Sequence, residues 1–136
     1  MPYLFALQGP GNCCKSTTLI HLYHALQTKY PAATIQAVHN GTRDIVVIMR
    51  GVNGLVVGIE SQGDPGSRLQ QSLAGFTAAN CDIIFCACRT SGMTVGWVNS
   101  LFPPYNIQFV QQNRVAINHA VTNAATAATL MRLAGI

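Results

Sequence analysis

The residues best suited to chemistry lie in one short stretch near the start of the sequence, GPGNCCKST, from Gly9 to Thr17. A glycine-rich turn lets consecutive backbone N–H groups point at phosphate oxygens, and a lysine completes the cage with its positive charge. A serine directly after the lysine can place its hydroxyl on a magnesium ion. The spacing therefore predicts a phosphate site in which Lys15 contacts the β- and γ-phosphates and Ser16 binds Mg²⁺.

The segments on either side have the patterns that such a loop needs. Residues 3–7, YLFAL, form a continuous apolar run that ends in a Gly/Pro turn, which is typical of a strand buried on both faces. From Lys15 to about Tyr30, apolar residues recur on one helical face, and Pro31 marks the end of the helix. The sequence predicts a strand, a loop and a helix in that order, with the positive end of the helix dipole at the loop.

On these residues the chain resembles the P-loop NTPase superfamily. The motif GxxxxGK[ST] is matched at Gly9, Lys15 and Ser16, whereas Cys14 stands where the motif has its last glycine. The resemblance implies a P-loop fold and a site for ATP, or another nucleoside triphosphate, with Mg²⁺. The residues it assigns to the nucleotide are Gly9, Gly11, Asn12, Cys13, Cys14, Lys15, Ser16, Thr17 and Gly63. A side chain at position 14 adds a Cβ where the backbone approaches the phosphates, so an occupied site and a blocked site both stay open.

A second informative segment follows the predicted helix. The β-branched apolar runs over 44–50 and 55–61 are joined through Val52-Asn53-Gly54, and Asn-Gly is a strong signal for a tight hairpin turn. The two strands are therefore expected to be antiparallel. The second run ends in Glu60-Ser61-Gln62-Gly63, whereas P-loop GTPases have an Asp-x-x-Gly turn at the end of this strand. The resemblance implies that Glu60 holds the metal, through water, and that the Gly63 N–H faces the γ-phosphate.

Two further charged residues are candidates for catalysis. Asp64 is an alternative metal-binding acid, or a group that polarises a nucleophile. The other interpretation has Glu60 capping a turn and Asp64 starting the next helix. Arg89 follows a predicted strand, where it would contact phosphate or act as an arginine finger, or else lie solvated in a loop. The guanine-reading Asn-Lys-x-Asp signature is missing after that strand, so ATP is favoured over GTP.

The rest of the chain continues the alternation of strands and helices. The patterns predict helices over 67–80, 93–102 and 117–135 and strands over 82–88 and 106–112. The expected fold is one α/β domain over residues 1–136, a P-loop nucleotide-binding domain. It is expected to have three layers, P-loop NTPase-like, with a mostly parallel sheet and one antiparallel hairpin.

Composition limits the partners. Charged residues make up only 9% of the 136 residues, and the net charge of +4 comes from scattered single basic residues, so nucleic acid binding is not indicated. No apolar run reaches membrane-spanning length and no leader is recognisable, so a cytoplasmic protein without membrane contact is expected. The five cysteines form no CxxC pair, which favours reduced thiols over a zinc site. The sparse charge favours association with another copy or a protein partner.

Three functions remain open at this stage. The first is an NTPase or small kinase that uses Lys15, Glu60, Asp64 and Arg89 with Mg²⁺. The second is a non-hydrolysing P-loop domain that binds nucleotide or a simple anion and works through a partner or self-assembly. The third is a structural interaction module with no ligand. The sequence favours a nucleotide-binding protein, with hydrolysis undecided because of Cys14.

Overall fold

A computed structural model of the chain describes residues 2–9, 15–40, 45–62, 68–111 and 119–136. Strands and helices alternate along these residues. Their bounds are β1 (Tyr3–Gln8), α1 (Lys15–Lys29), β2 (Thr34–Asn40), β3 (Ile45–Val52), β4 (Leu55–Glu60), α2 (Leu69–Ala78), β5 (Ile83–Cys88), α3 (Met93–Asn99), β6 (Asn106–Gln111) and α4 (His119–Ala134). The α/β class is confirmed, and all the predicted elements are present, with α3 ending three residues before the predicted bound, at Asn99.

The strands form one sheet in the order β2-β3-β4-β5-β1-β6. Strand β1 pairs in parallel with β5 and β6, and β5 pairs in parallel with β4. The predicted, mostly parallel sheet is therefore confirmed. The prediction of a single antiparallel hairpin was incomplete, because β2 also pairs antiparallel with β3. Strand β2 carries no continuous apolar run, and its residues 34–37 lie exposed at the edge of the sheet, so the usual signal of burial is missing.

The hairpin between β3 and β4 has the predicted geometry. Asn53 and Gly54 have φ angles of 53° and 79°, the left-handed values that the tight hairpin turn requires. The turn sets a register in which Val46 faces Glu60 and Ile48 faces Gly58. The register places Glu60 at the last position of β4, beside the point where β3 begins.

Two layers of helices cover the sheet, and each has its own core. Helices α1 and α4 pack on one face, and α2 and α3 pack on the other. The first core contains Leu19, Leu22 and Leu26 of α1 with Phe5, Val57, Ile59 and Phe85. The second contains Leu69, Leu73 and Phe76 of α2 with Leu4, Val46, Ile48 and Ile84. Strand β1 contributes to both cores, as its apolar run predicts.

None of the helices in the described part of the chain is long and apolar enough to cross a membrane.

Helix α2 approaches β4 closely at one point. A Cβ on Gly58 would lie 2.7 Å from atoms of the Phe76 ring, which is buried and unable to move aside without disturbing the second core. By contrast, a Cβ on Gly75 in α2 would meet no atom within 4 Å. The absence of a side chain at position 58 therefore sets the distance between helix and sheet.

We expect Gly58→Ala to lower the free energy of unfolding by about 1–3 kcal/mol, because the added methyl group overpacks the core. The matched control, Gly75→Ala, adds the same methyl group in open space on a helix and should raise stability by up to about 1 kcal/mol. Urea denaturation of both variants measures the difference. Equal effects of the two substitutions would contradict the packing described for Gly58.

Candidate functional site

The site begins with Lys15, the first residue of α1. The loop before it leaves the carboxyl end of β1, which lies between two parallel neighbours, and ligands of open α/β sheets bind at this edge. The Lys15 side chain is buried, and its Nζ donates a hydrogen bond of 2.6 Å to the carbonyl oxygen of Gly9. The ammonium therefore folds back over the start of the loop. The predicted nucleotide-binding residues Gly11, Asn12, Cys13 and Cys14 lie outside the described residues.

Ser16 connects this helix start to the end of β4. Its Oγ donates to the carbonyl oxygen of Ser61 at 2.8 Å. Ser61 in turn is bonded to the first residue of β3, because its Oγ accepts from the Ile45 N–H at 2.7 Å and its own N–H donates to the Ile45 carbonyl at 3.1 Å. The neighbouring Thr17 is exposed. The serine predicted to bind metal is thus tied to the turn that was predicted to supply the metal-binding acid.

The Glu60 side chain lies on the opposite face of the sheet. Val57 and Ile59 pack on the α1 side, and alternation along β4 directs the Gly58 and Glu60 positions toward α2. The Glu60 carboxylate is fully buried. Its Oε1 accepts from the Gln62 N–H at 2.9 Å. Its Oε2 accepts from the Ser72 hydroxyl and lies 3.6 Å from Arg68 Nε.

The structure therefore brings the main chain of this turn to Ser16, and the Glu60 carboxylate to α2. In this arrangement Glu60 orients the end of β4, and a direct bond from its carboxylate to a metal at Ser16 would require the side chain to leave α2. The other predicted acid, Asp64, and Gly63 lie outside the described residues. Among the residues that are described, no three His, Cys, Asp or Glu side chains form a group that could hold a metal ion.

Arg89 lies at the same edge of the sheet as Lys15. The Gly9 N–H donates to the carbonyl oxygen of Cys88 at 3.2 Å, so the start of the loop lies beside the end of β5. The Arg89 N–H donates to Thr94 Oγ1 at 3.0 Å, and its carbonyl accepts from Gln8 Nε2 at 3.3 Å. Its main chain is therefore held in place beside Gly9, where the loop begins.

Two buried thiols lie beneath this edge. Burial raises the pKa of Cys88 to about 11, although the nearby Lys15 ammonium lowers it. Burial also raises the pKa of Cys86 well above its usual value, and the neighbouring Cys88 and Glu60 act in the same direction. Both thiols are therefore protonated near neutral pH, and they are free cysteines, as the sequence predicts.

Sequence reasoning missed three residues that shape the site, namely Ser61, Arg68 and Ser72. Ser61 carried a usable signal, because a polar residue directly after a buried strand often bonds to the neighbouring strand end. Arg68 and Ser72 carried none, since only the folded chain brings α2 over the end of β4.

The described residues thus define a three-layer α/β domain in which Lys15, at the start of the first helix, is bonded to Gly9, just after the first strand. No protein-family model matches the chain, and neither does any curated protein or solved structure.

We expect Glu60→Gln to lower the free energy of unfolding by about 2 kcal/mol or more, because Arg68 loses its carboxylate and Ser72 loses a charged acceptor. Asp82→Asn is the matched control, because the exposed Asp82 carboxylate also accepts a hydrogen bond from a backbone N–H, that of Val56. Loss of the Asp82 charge should lower the free energy of unfolding by less than about 1 kcal/mol. Urea denaturation without metal or nucleotide measures both. A Glu60→Gln variant as stable as the control would contradict a structural role for this carboxylate.

Proposed function

We propose that this domain binds a nucleoside triphosphate, ATP rather than GTP, with Mg²⁺, at the loop between β1 and α1. The observation that carries the proposal is the buried Lys15 ammonium, held against the Gly9 carbonyl at the N-terminus of α1. Its place at the carboxyl edge of parallel strands agrees with the motif to which Gly9, Lys15 and Ser16 belong.

The charges at this position favour an anion. A phosphate oxygen is a strong partner for a buried ammonium, because the bond joins opposite charges. Helix α1 is 15 residues long, and its positive dipole end adds to the attraction. On binding, the Lys15 ammonium would contact the β- and γ-phosphates.

Ser16 is suited to hold the metal. A hydroxyl group can donate one hydrogen bond through its proton and can accept through its lone pairs. The Ser16 hydroxyl donates its proton to the Ser61 carbonyl. The lone pairs are the part of the hydroxyl that a cation would bind. Mg²⁺ bound there would neutralise charge on the β- and γ-phosphates. Because the carboxylate of Glu60 faces α2, its contribution is to hold Ser61, and so the Ser16 hydroxyl, in position.

Hydrolysis is the second part of the proposal, with Arg89 beside the loop as the group that would stabilise charge on the transferred phosphoryl. A binding domain without turnover is the alternative, and a specific observation favours it: Ser72, Arg68 and the Gln62 N–H already occupy the Glu60 carboxylate. A phosphate-release assay with ATP and Mg²⁺ separates the two, because binding without phosphate release leaves only the alternative.

The test of binding is calorimetric titration of ATP and of GTP, each with Mg²⁺. The chain has two lysines, both in α1, which offers a matched pair of variants, Lys15→Ala and Lys29→Ala. Loss of a charge-assisted bond should weaken ATP binding by about tenfold or more in Lys15→Ala. Lys29, whose Nζ donates to the Ile136 carbonyl at the other end of the helix, should be replaceable without effect on ATP.

The same titration on Cys14→Gly decides what the cysteine does. Restored glycine removes the Cβ from the loop, so binding should be at least as tight as in the parent chain. Binding by Cys14→Gly alone would mean that the parent site is blocked. If neither chain binds either nucleotide, the proposed function is wrong.

A further inference from the structure

A groove on the other face of the sheet is separate from the loop and has no role in the proposed function. It encloses about 420 Å³, a volume typical of small-molecule sites. Helix α2 forms one wall, and the β3 side of the sheet forms the floor. We call it the α2 groove, and its principal lining residues are Gln36, Val46, Ile48, Arg50, Gly75 and Phe76.

The α2 groove is elongated along the strands. Val46, Ile48 and Arg50 point to the same face of β3, and the four steps along the strand from Val46 to Arg50 span about 13 Å. Ser72 contacts Glu60, which pairs with Val46, so the N-terminal part of α2 lies at the Val46 end. Arg50 therefore marks the opposite end of the groove.

The two ends differ in charge. At the Val46 end, the guanidinium of Arg68 is shared with the buried Glu60 carboxylate, which would repel a second anion. At the other end, Arg50 is exposed and its Nη1 donates to the neutral Gln36 Oε1 at 2.9 Å. Among the residues that the structure describes, no carboxylate lies within ion-pairing distance of the Arg50 guanidinium. One end of the groove thus carries an exposed cation, while its floor between the ends is apolar.

We propose that the α2 groove binds a linear medium-chain carboxylate. The carboxylate head pairs with the Arg50 guanidinium and accepts from the Gln36 amide, which suits the fork of donors on arginine. The alkyl chain lies over Ile48, Val46 and Phe76, where its burial releases water from apolar surface. Gly75 leaves room for the chain in the α2 wall, since no atom lies within 4 Å of the position a Cβ would take.

The experiment is an NMR titration of the full chain, labelled with ¹⁵N, with octanoate below its micelle concentration. We expect the largest amide shifts at Ile48, Arg50 and Gly75. Octan-1-ol, which has the same chain without the charge, should bind at least about tenfold more weakly. Equal binding of the two probes, or shifts that avoid the groove, would overturn the proposal.

Two variants test the two halves of the site. Arg50→Gln should weaken octanoate binding about tenfold or more, whereas Arg132→Gln, which removes an exposed arginine from α4, should leave it unchanged. Gly75→Leu fills the groove from a position open enough for the protein to stay folded, and it should abolish binding of both probes. Octanoate binding that survives Gly75→Leu would overturn the proposal. A dimer whose interface covers the groove, detected by sedimentation without octanoate, would overturn it too.

Discussion

A carboxylate can be buried only if its oxygens are hydrogen-bonded or paired with positive charge, and in this domain that requirement falls on Glu60. Glu60 is the one glutamate in the sequence. Its partners come from the turn that follows it and from α2, so satisfying the carboxylate fixes the helix over the end of β4. The carbonyl of the next residue, Ser61, accepts from the Ser16 hydroxyl. Two adjacent residues at the end of β4 thus contact both α2 and the start of α1.

The same residue links the two candidate binding regions. Arg68 and Ser72 hold the Glu60 carboxylate, and they also line the end of the α2 groove. The loop with Lys15 and the groove with Arg50 therefore lie on opposite faces of the sheet but share one structural support. One step along the chain connects them, from Glu60 at the end of β4 to Ser61, whose carbonyl accepts from Ser16.

Much of the fold could be predicted because its central strands carry strong local signals. The apolar run of β1 and the Asn53-Gly54 turn are set by burial and by backbone geometry within a few residues. Strand β2 lacks both signals, since an exposed edge strand is defined by its pairing with β3, which is a long-range contact. The place of Lys15 was readable from the motif. The direction of the Glu60 side chain could not be predicted from the motif. It depends on the Ser72 hydroxyl of α2, which only the folded chain brings next to the end of β4.

The placement of both lysines in α1 also makes the helix chemically distinct. Apart from the chain's own N-terminus, every primary amine of the protein belongs to this one helix, one at each end. The Lys15 side chain is buried and bonded to the Gly9 carbonyl, whereas the bond of Lys29 to the Ile136 carbonyl is only partly buried. An acylating reagent would therefore modify Lys29 first, and Lys15 would react more slowly because its side chain is buried. The slower of the two amines, Lys15, lies at the place where the ligand is proposed to bind.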